Sequence, residues 1–193
     1  MSDLVLIIFS TALANNIVVL GVIGADPALA FLRKMDVAIE LCFTMLVLLP
    51  LVILAAYFVD TWLLVPLHIE YFQLIVFISV IFLVTGCIKQ WGYLISKKLH
   101  ERIKLFLPFA GINTTVLGAV LLNEQLANGL LNSLAYGLGS ASGFCIILLI
   151  LTACTERLEV SDVPLPFRGM PILLLTLALI SMAFMGFNGM AGN

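Results

Sequence analysis

The stretch LFLPFAGINTTVLGAVLL, residues 105–122, decides how the rest of this chain is read. It carries no charge over eighteen residues, close to the length of ~20 residues that crosses a bilayer core as a helix. Its centre, however, is Gly111-Ile112-Asn113-Thr114-Thr115, with Pro108 just ahead. Amides and hydroxyls are costly in hydrocarbon unless they find partners, and Gly and Pro weaken the helix around them. A simple anchor needs none of these residues. The stretch therefore reads as an interrupted helix that carries a polar site near the bilayer midplane.

The composition around it agrees. Of 193 residues, 63% are hydrophobic and only 10% charged, more apolar surface than a soluble domain of this size can bury. The expectation is an all-α integral membrane protein forming one membrane domain over residues 1–193. A net charge of −2, with no basic patch interleaved with aromatics, excludes nucleic acid as a partner. Four cysteines, Cys42, Cys87, Cys145 and Cys154, lie in or beside apolar segments without a CxxC spacing. They read as small packing residues rather than ligands or disulfides. Ala12-Leu13-Ala14 has the look of a signal-peptide cleavage site, but Asp3 precedes it with no Lys or Arg, and the apolar run is short. The first segment is expected to be a retained span.

Six apolar segments follow, at about residues 4–23, 41–59, 71–88, 105–122, 130–151 and 170–187. The first is interrupted by Asn15-Asn16, the second holds Pro50, and the fifth opens on GLGSASG, residues 137–143, whose small side chains let helices approach closely. All nine basic residues fall in alternate loops: Arg33 and Lys34, then Lys89, Lys97, Lys98, Arg102 and Lys104, then Arg157 and Arg168. The opposite loops hold Asp60, His68, Glu70 and Glu124. The positive-inside rule then puts both termini on the outer side.

The two halves look related. Asn16-Ile17-Val18-Val19-Leu20-Gly21 echoes Asn113-Thr114-Thr115-Val116-Leu117-Gly118 ninety-seven residues later. Three spans precede the central basic loop and three follow it, so such a repeat is inverted. Inverted 3+3 repeats with interrupted helices one and four put their working groups at the repeat interface near the midplane. Asn15, Asn16 and Asn113 are the natural candidates. Their functional reading is an ion path or a cofactor mount; the alternative is interhelical hydrogen bonding that only holds the bundle together. Asp36 and Glu40, four apart at the start of the second span, read as solvated helix-start acids. No nucleotide-binding loop, catalytic triad or zinc site is present.

Several motifs together carry a resemblance. They are Asn15-Asn16, LFLP at 105–108 with NTTVLGAVLLN at 113–123, YGLGSASGF at 136–144, ERLEVSDVPLPFRG at 156–169 and SMAFMGFNG at 181–189. In them the chain resembles the RnfA/NqrE family of six-helix membrane subunits, and the likeness spans essentially the whole length. The RnfA branch is the more similar, through Asp60-Thr61-Trp62 and the YG, DVP and PFRG patterns.

That resemblance implies a bacterial inner-membrane subunit of an Rnf complex, in which electron transfer between ferredoxin and NAD drives ion translocation. It implies a homologous RnfE-like partner of opposite orientation, and RnfB, RnfC, RnfD and RnfG beyond it. It also implies a [2Fe–2S] cluster held between the two homologues by two cysteines from each, at the tips of the broken helices. In this sequence those cysteine positions fall on Asp26, in Gly24-Ala25-Asp26-Pro27, and on Thr114. A cluster of this kind takes four thiolates. The expectation is a subunit that keeps the scaffold, with Asn15, Asn16, Asp26, Asn113 and Thr114 at its midplane, and supplies no ordinary cysteine ligation. A stand-alone inverted-repeat secondary transporter, and a scaffold without redox function, are the alternatives.

Overall fold

A computed structural model describes residues 2–14, 16, 35–95, 106–108, 110–126 and 129–188. Among these, every regular element is a helix. In chain order they are α1 (Ser2–Phe9), α2 (Met35–Val59), α3 (Gln73–Ile95), α4 (Phe106–Ile112), α5 (Thr114–Leu126), α6 (Leu130–Val160) and α7 (Met170–Asn188). A π-helical turn, Ser10–Ala14, prolongs α1, and another, Asp60–Leu64, prolongs α2.

Several of the helices have the length a membrane demands. Three runs are long and apolar enough to cross it, Met35–Leu67, Gln73–Gln90 and Leu130–Val160, and a fourth appears if α4 and α5 count as one bent span. Two shorter apolar helices, Leu4–Leu13 and Met170–Gly186, accompany them. At a rise of 1.5 Å per residue, α6 is about 46 Å long, well beyond the ~30 Å of a hydrocarbon core. Its excess runs past the expected end at residue 151 and carries Glu156, Arg157 and Glu159. The chain is thus a multi-pass membrane protein, all-helical among the described residues.

Its surface confirms which solvent it meets. Leu74, Ile75, Phe82 and Leu83 on α3, and Leu174, Leu179, Met182 and Met185 on α7, are all exposed. In water such faces would drive aggregation, whereas in lipid they are the matching solvent. With no hydrophobic force between helices in lipid, packing is made by close fit and by satisfied polar groups.

The fit centres on α6, which lies between α1 and α2. A Cβ on Gly139 would sit 2.9 Å from Thr11 Cβ and 3.0 Å from the Ile8 carbonyl oxygen, and one on Gly143 would sit 2.8 Å from the Ala12 oxygen. Those two glycines are four apart, on one helical face, and α1 with its π-turn lies directly against it. Gly137 points elsewhere: its added Cβ would come 3.0 Å from Pro50 Cα on α2. Pro50 lacks an N–H and would kink most helices, yet α2 continues through it to Val59. The core between α2 and α6 is filled by buried Met45, Leu48, Leu49, Val52, Ile53, Phe144, Ile147 and Leu148.

Polar groups inside the bundle are partnered mostly by their own helices. Thr44, Thr85, Thr152 and Thr176 each donate their hydroxyl to the carbonyl four residues back. At the other end of the bundle, Glu156 Oε1 accepts the Met35 N–H at 2.7 Å. A carboxylate from α6 thereby caps the first turn of α2, where the helix dipole favours negative charge.

Candidate functional site

The polar break lies between α4 and α5. The two helices meet at 49°, and Asn113 is the single residue between them. Asn113 is 6% exposed, and its Oδ1 accepts the Thr115 N–H at 2.8 Å. This is an N-cap: a side-chain oxygen satisfies one of the amides that the first turn of a helix leaves orphaned. The backbone joins in, with the Asn113 N–H donating to Ala110 O at 3.2 Å and the Val116 N–H donating to Asn113 O at 3.0 Å. Three amides at the break, those of Asn113, Thr115 and Val116, are thus satisfied within the break itself, as an irregular segment inside a membrane requires of its polar groups.

Close packing holds that geometry. A Cβ on Gly111 would lie 2.8 Å from Thr85 Oγ1 on α3, so α3 passes directly beside the last turn of α4. Leu107 and Ala110 are buried on the same short helix. The result is a helix start with a buried cap residue, and the positive end of the α5 dipole there favours an anion or an electron-rich group.

Asn16 is held differently. It is 1% exposed and its Nδ2 donates to Ala12 O at 2.8 Å. Gly143 provides the room: a Cβ there would come 2.7 Å from that same nitrogen. Asn16 and Asn113 are both buried, but against different neighbours, one on the α6 glycine face and one capping α5. Thr114, first residue of α5, is exposed and has a polar partner of its own. Asn15 and Asp26 lie outside the described residues.

The donor chemistry at this break is amide and hydroxyl. An iron–sulfur cluster takes thiolates, and the break itself offers none in Asn113, Thr114 and Thr115. The described residues contain no group of three His, Cys, Asp or Glu side chains able to hold a metal ion. The residues present do not fit a cluster ligated in the usual way, and no step is assigned through one.

Two arrangements were not visible in the sequence. Cys42 on α2 and Cys145 on α6 face each other, with Cys42 Sγ 3.9 Å from Cys145 O and Cys145 Sγ 3.5 Å from Cys42 O. Both are buried free thiols, whereas Cys87 is exposed. Asn123 on α5, 4% exposed, donates through Nδ2 to Ser133 Oγ on α6 at 3.2 Å. The one sequence signal for Asn123 is an amide directly followed by Glu124 at the end of an apolar run.

Known proteins resemble the chain along nearly its whole length. A family model described as "Rnf-Nqr subunit, membrane protein" matches residues 4–191. The chain is 40% identical over 190 residues to an ion-translocating oxidoreductase complex subunit of Alkalilimnicola ehrlichii, covering 98% of each chain. It is 38% identical over 190 residues to the protein of that name from Actinobacillus pleuropneumoniae serotype 5b, and 37% to that from Shigella sonnei, again over 98% of each chain.

Proposed function

Because the chain belongs to the Rnf-Nqr family of membrane subunits, we propose that it is a membrane subunit of an Rnf-type complex, coupling electron transfer between ferredoxin and NAD to ion translocation. The observation that carries this is likeness to ion-translocating oxidoreductase subunits over 98% of the chain. The buried, self-capped break at Asn113 supports it from the physical side. A polar helix start costs nothing to omit from a plain anchor, so its retention inside a bundle fits a transport role.

In the finer reading, the chain crosses a bacterial inner membrane six times as an inverted 3+3 repeat, with both termini on the periplasmic side. It pairs with a homologous RnfE-like subunit, and RnfB, RnfC, RnfD and RnfG complete the assembly. Asn15, Asn16 and Asn113 form the midplane polar site, with Asp26 and Thr114 at the family's cysteine positions. Nicotinamide and ferredoxin chemistry belongs to other subunits, and any [2Fe–2S] cluster at the subunit boundary receives no ordinary cysteine ligation from this chain at Asp26 or Thr114.

The test is Asn113→Leu in the complex reconstituted into vesicles, with activity expressed per folded complex. Coupled electron transfer and ion uptake are both expected to fall at least tenfold. Retention of both would remove Asn113 from the proposal. The donor set at the break, which lacks thiolates, favours one rival: a stand-alone secondary transporter built on the same repeat. Affinity purification separates the two, since a transporter purifies alone or as a homodimer while an Rnf subunit brings several different polypeptides.

A further inference from the structure

Two of the four cysteines meet across the seam between α2 and α6. Cys42 Sγ lies 3.9 Å from Cys145 O, and Cys145 Sγ lies 3.5 Å from Cys42 O. The two thiols are also within hydrogen-bonding reach of each other, and both are free. A thiol this close to the carbonyl of the opposite cysteine reports a close approach of the two backbones. That approach is what a disulfide needs, since its Cα atoms stand no more than about 7 Å apart.

The seam accounts for it. The contacts Met35–Glu156, Cys42–Cys145 and Pro50–Gly137 run in opposite directions along the two helices, which are therefore antiparallel. Cys42 and Pro50 are eight residues apart, as are Gly137 and Cys145. Eight residues make about two turns, so both pairs lie on one line of contact. At its far end a Cβ on Gly137 would come 3.0 Å from Pro50 Cα, and Ala141, midway, is buried. Small side chains let helices close to such distances in lipid. The thiols stand at the rim of this seam rather than its centre. Cys42 is 6% exposed and Cys145 8%, while Ile39 and Leu46, one turn either side of Cys42, and Ile146 beside Cys145 are exposed. Lipid therefore begins one side chain away.

We propose that Cys42 and Cys145 form a dithiol–disulfide couple, oxidised by a lipid-soluble quinone, that staples α2 to α6. In this step the S–S bond forms as both S–H bonds break, and the two electrons and two protons convert the quinone to its quinol. Dithiol and disulfide are both uncharged, so oxidation buries no ion in hydrocarbon, whereas a soft metal ion held by two thiolates would. Each cysteine gives up only a weak S–H bond to a carbonyl. An aqueous disulfide, by contrast, is attacked only by thiolate, the form that burial in lipid disfavours. The bridge closes a loop between positions 103 apart, long enough to constrain the unfolded chain strongly. The inference stands on the seam and on the membrane class of the chain, and does not depend on the Rnf reading.

The test uses the purified complex, reduced and then freed of reductant under nitrogen. It is mixed in detergent with a decyl-substituted benzoquinone whose other ring carbons are all blocked, so that thiols cannot add to the ring. The protein is then denatured in N-ethylmaleimide and its peptides are read by mass spectrometry. A peptide pair linked through Cys42 and Cys145 is expected to rise at least tenfold over a control treated with the quinol, while the two alkylated forms fall together. In Cys42→Ser, Cys145 should remain alkylated, and in Cys145→Ser, Cys42 should. The unmutated complex carries the test by itself if either variant fails to assemble. The proposal is overturned if both thiols stay alkylated as in the control, or if either is bridged to a cysteine elsewhere. Equal oxidation of Cys145 in Cys42→Ser would overturn it as well, and so would linkage as fast with aqueous ferricyanide as with the quinone.

Discussion

Asn16 and Gly143 occupy one another's space: a single added methyl carbon on Gly143 would sit 2.7 Å from Asn16 Nδ2 and 3.0 Å from Ala12 Cα. The amide of Asn16 lies on α6 only because position 143 has no side chain. Ala12 contributes backbone atoms to that contact, and backbone cannot swing aside as a flexible side chain would. Gly143→Ala should therefore lower stability by about 1–3 kcal/mol, the usual cost of overpacking. Gly86→Ala is the control, since a Cβ there meets nothing within 4 Å; helix propensity should make it neutral or stabilising by up to about 1 kcal/mol. Thermal unfolding in detergent checks both, and equal melting temperatures for the two variants would show that α1 does not press on α6 as described.

The cap at Asn113 makes a separable prediction. Its Oδ1 holds the Thr115 N–H, so Asn113→Ala should cost about 1 kcal/mol of stability, within the range for lost N-caps. Asn113→Ser retains an oxygen at the right reach and should recover most of that. If Ser and Ala variants melt together, the hydrogen bond is not holding the start of α5.

Much of this was legible in the sequence, for reasons that differ from residue to residue. The membrane class follows from composition alone, because no packing scheme hides so apolar a chain in water. The bend at Asn113 lies inside the uncharged stretch that Pro108 and Gly111 already weaken. The small residues of 137–143 do mark a close approach, with Gly139 and Gly143 against α1 and Gly137 against Pro50. Which helix meets which was not legible. In lipid both the outer and inner faces of a helix are apolar, so periodicity carries little information on facing. For the same reason the opposition of Cys42 and Cys145 could not be read from spacing. The capping use of Asn113 also escaped, because an amide in an apolar run looks the same whether it serves a ligand or its own helix. The end of α6 at Val160 lay beyond the apolar signal, since the last turns are stabilised by helix continuity rather than by lipid.

A charge on the lipid face tests the membrane reading directly. Leu83 on α3 is 67% exposed within a run of eighteen residues suited to crossing a bilayer. Leu83→Arg should raise the apparent insertion free energy of that segment by about 2.5–3.5 kcal/mol, the scale for a basic residue at a helix centre. A glycosylation-mapping assay of insertion reads this as a fall in the inserted fraction. Phe77, 1% exposed on the same helix, faces the protein, so Phe77→Ala should leave insertion nearly unchanged and weaken packing instead.

The orientation proposed from the basic loops is tested by labelling from outside intact spheroplasts. Tyr71, in the turn between α2 and α3, is 98% exposed, and Asp162, between α6 and α7 beside Arg157 and Arg168, is exposed as well. In a background with Cys87 and Cys154 replaced, Cys42 and Cys145 remain buried and should stay silent until denaturation. A membrane-impermeant maleimide should then modify Tyr71→Cys at once, and Asp162→Cys only after permeabilisation. Nine basic residues against none in the opposing loops is a strong bias. The converse labelling pattern would nonetheless reject it.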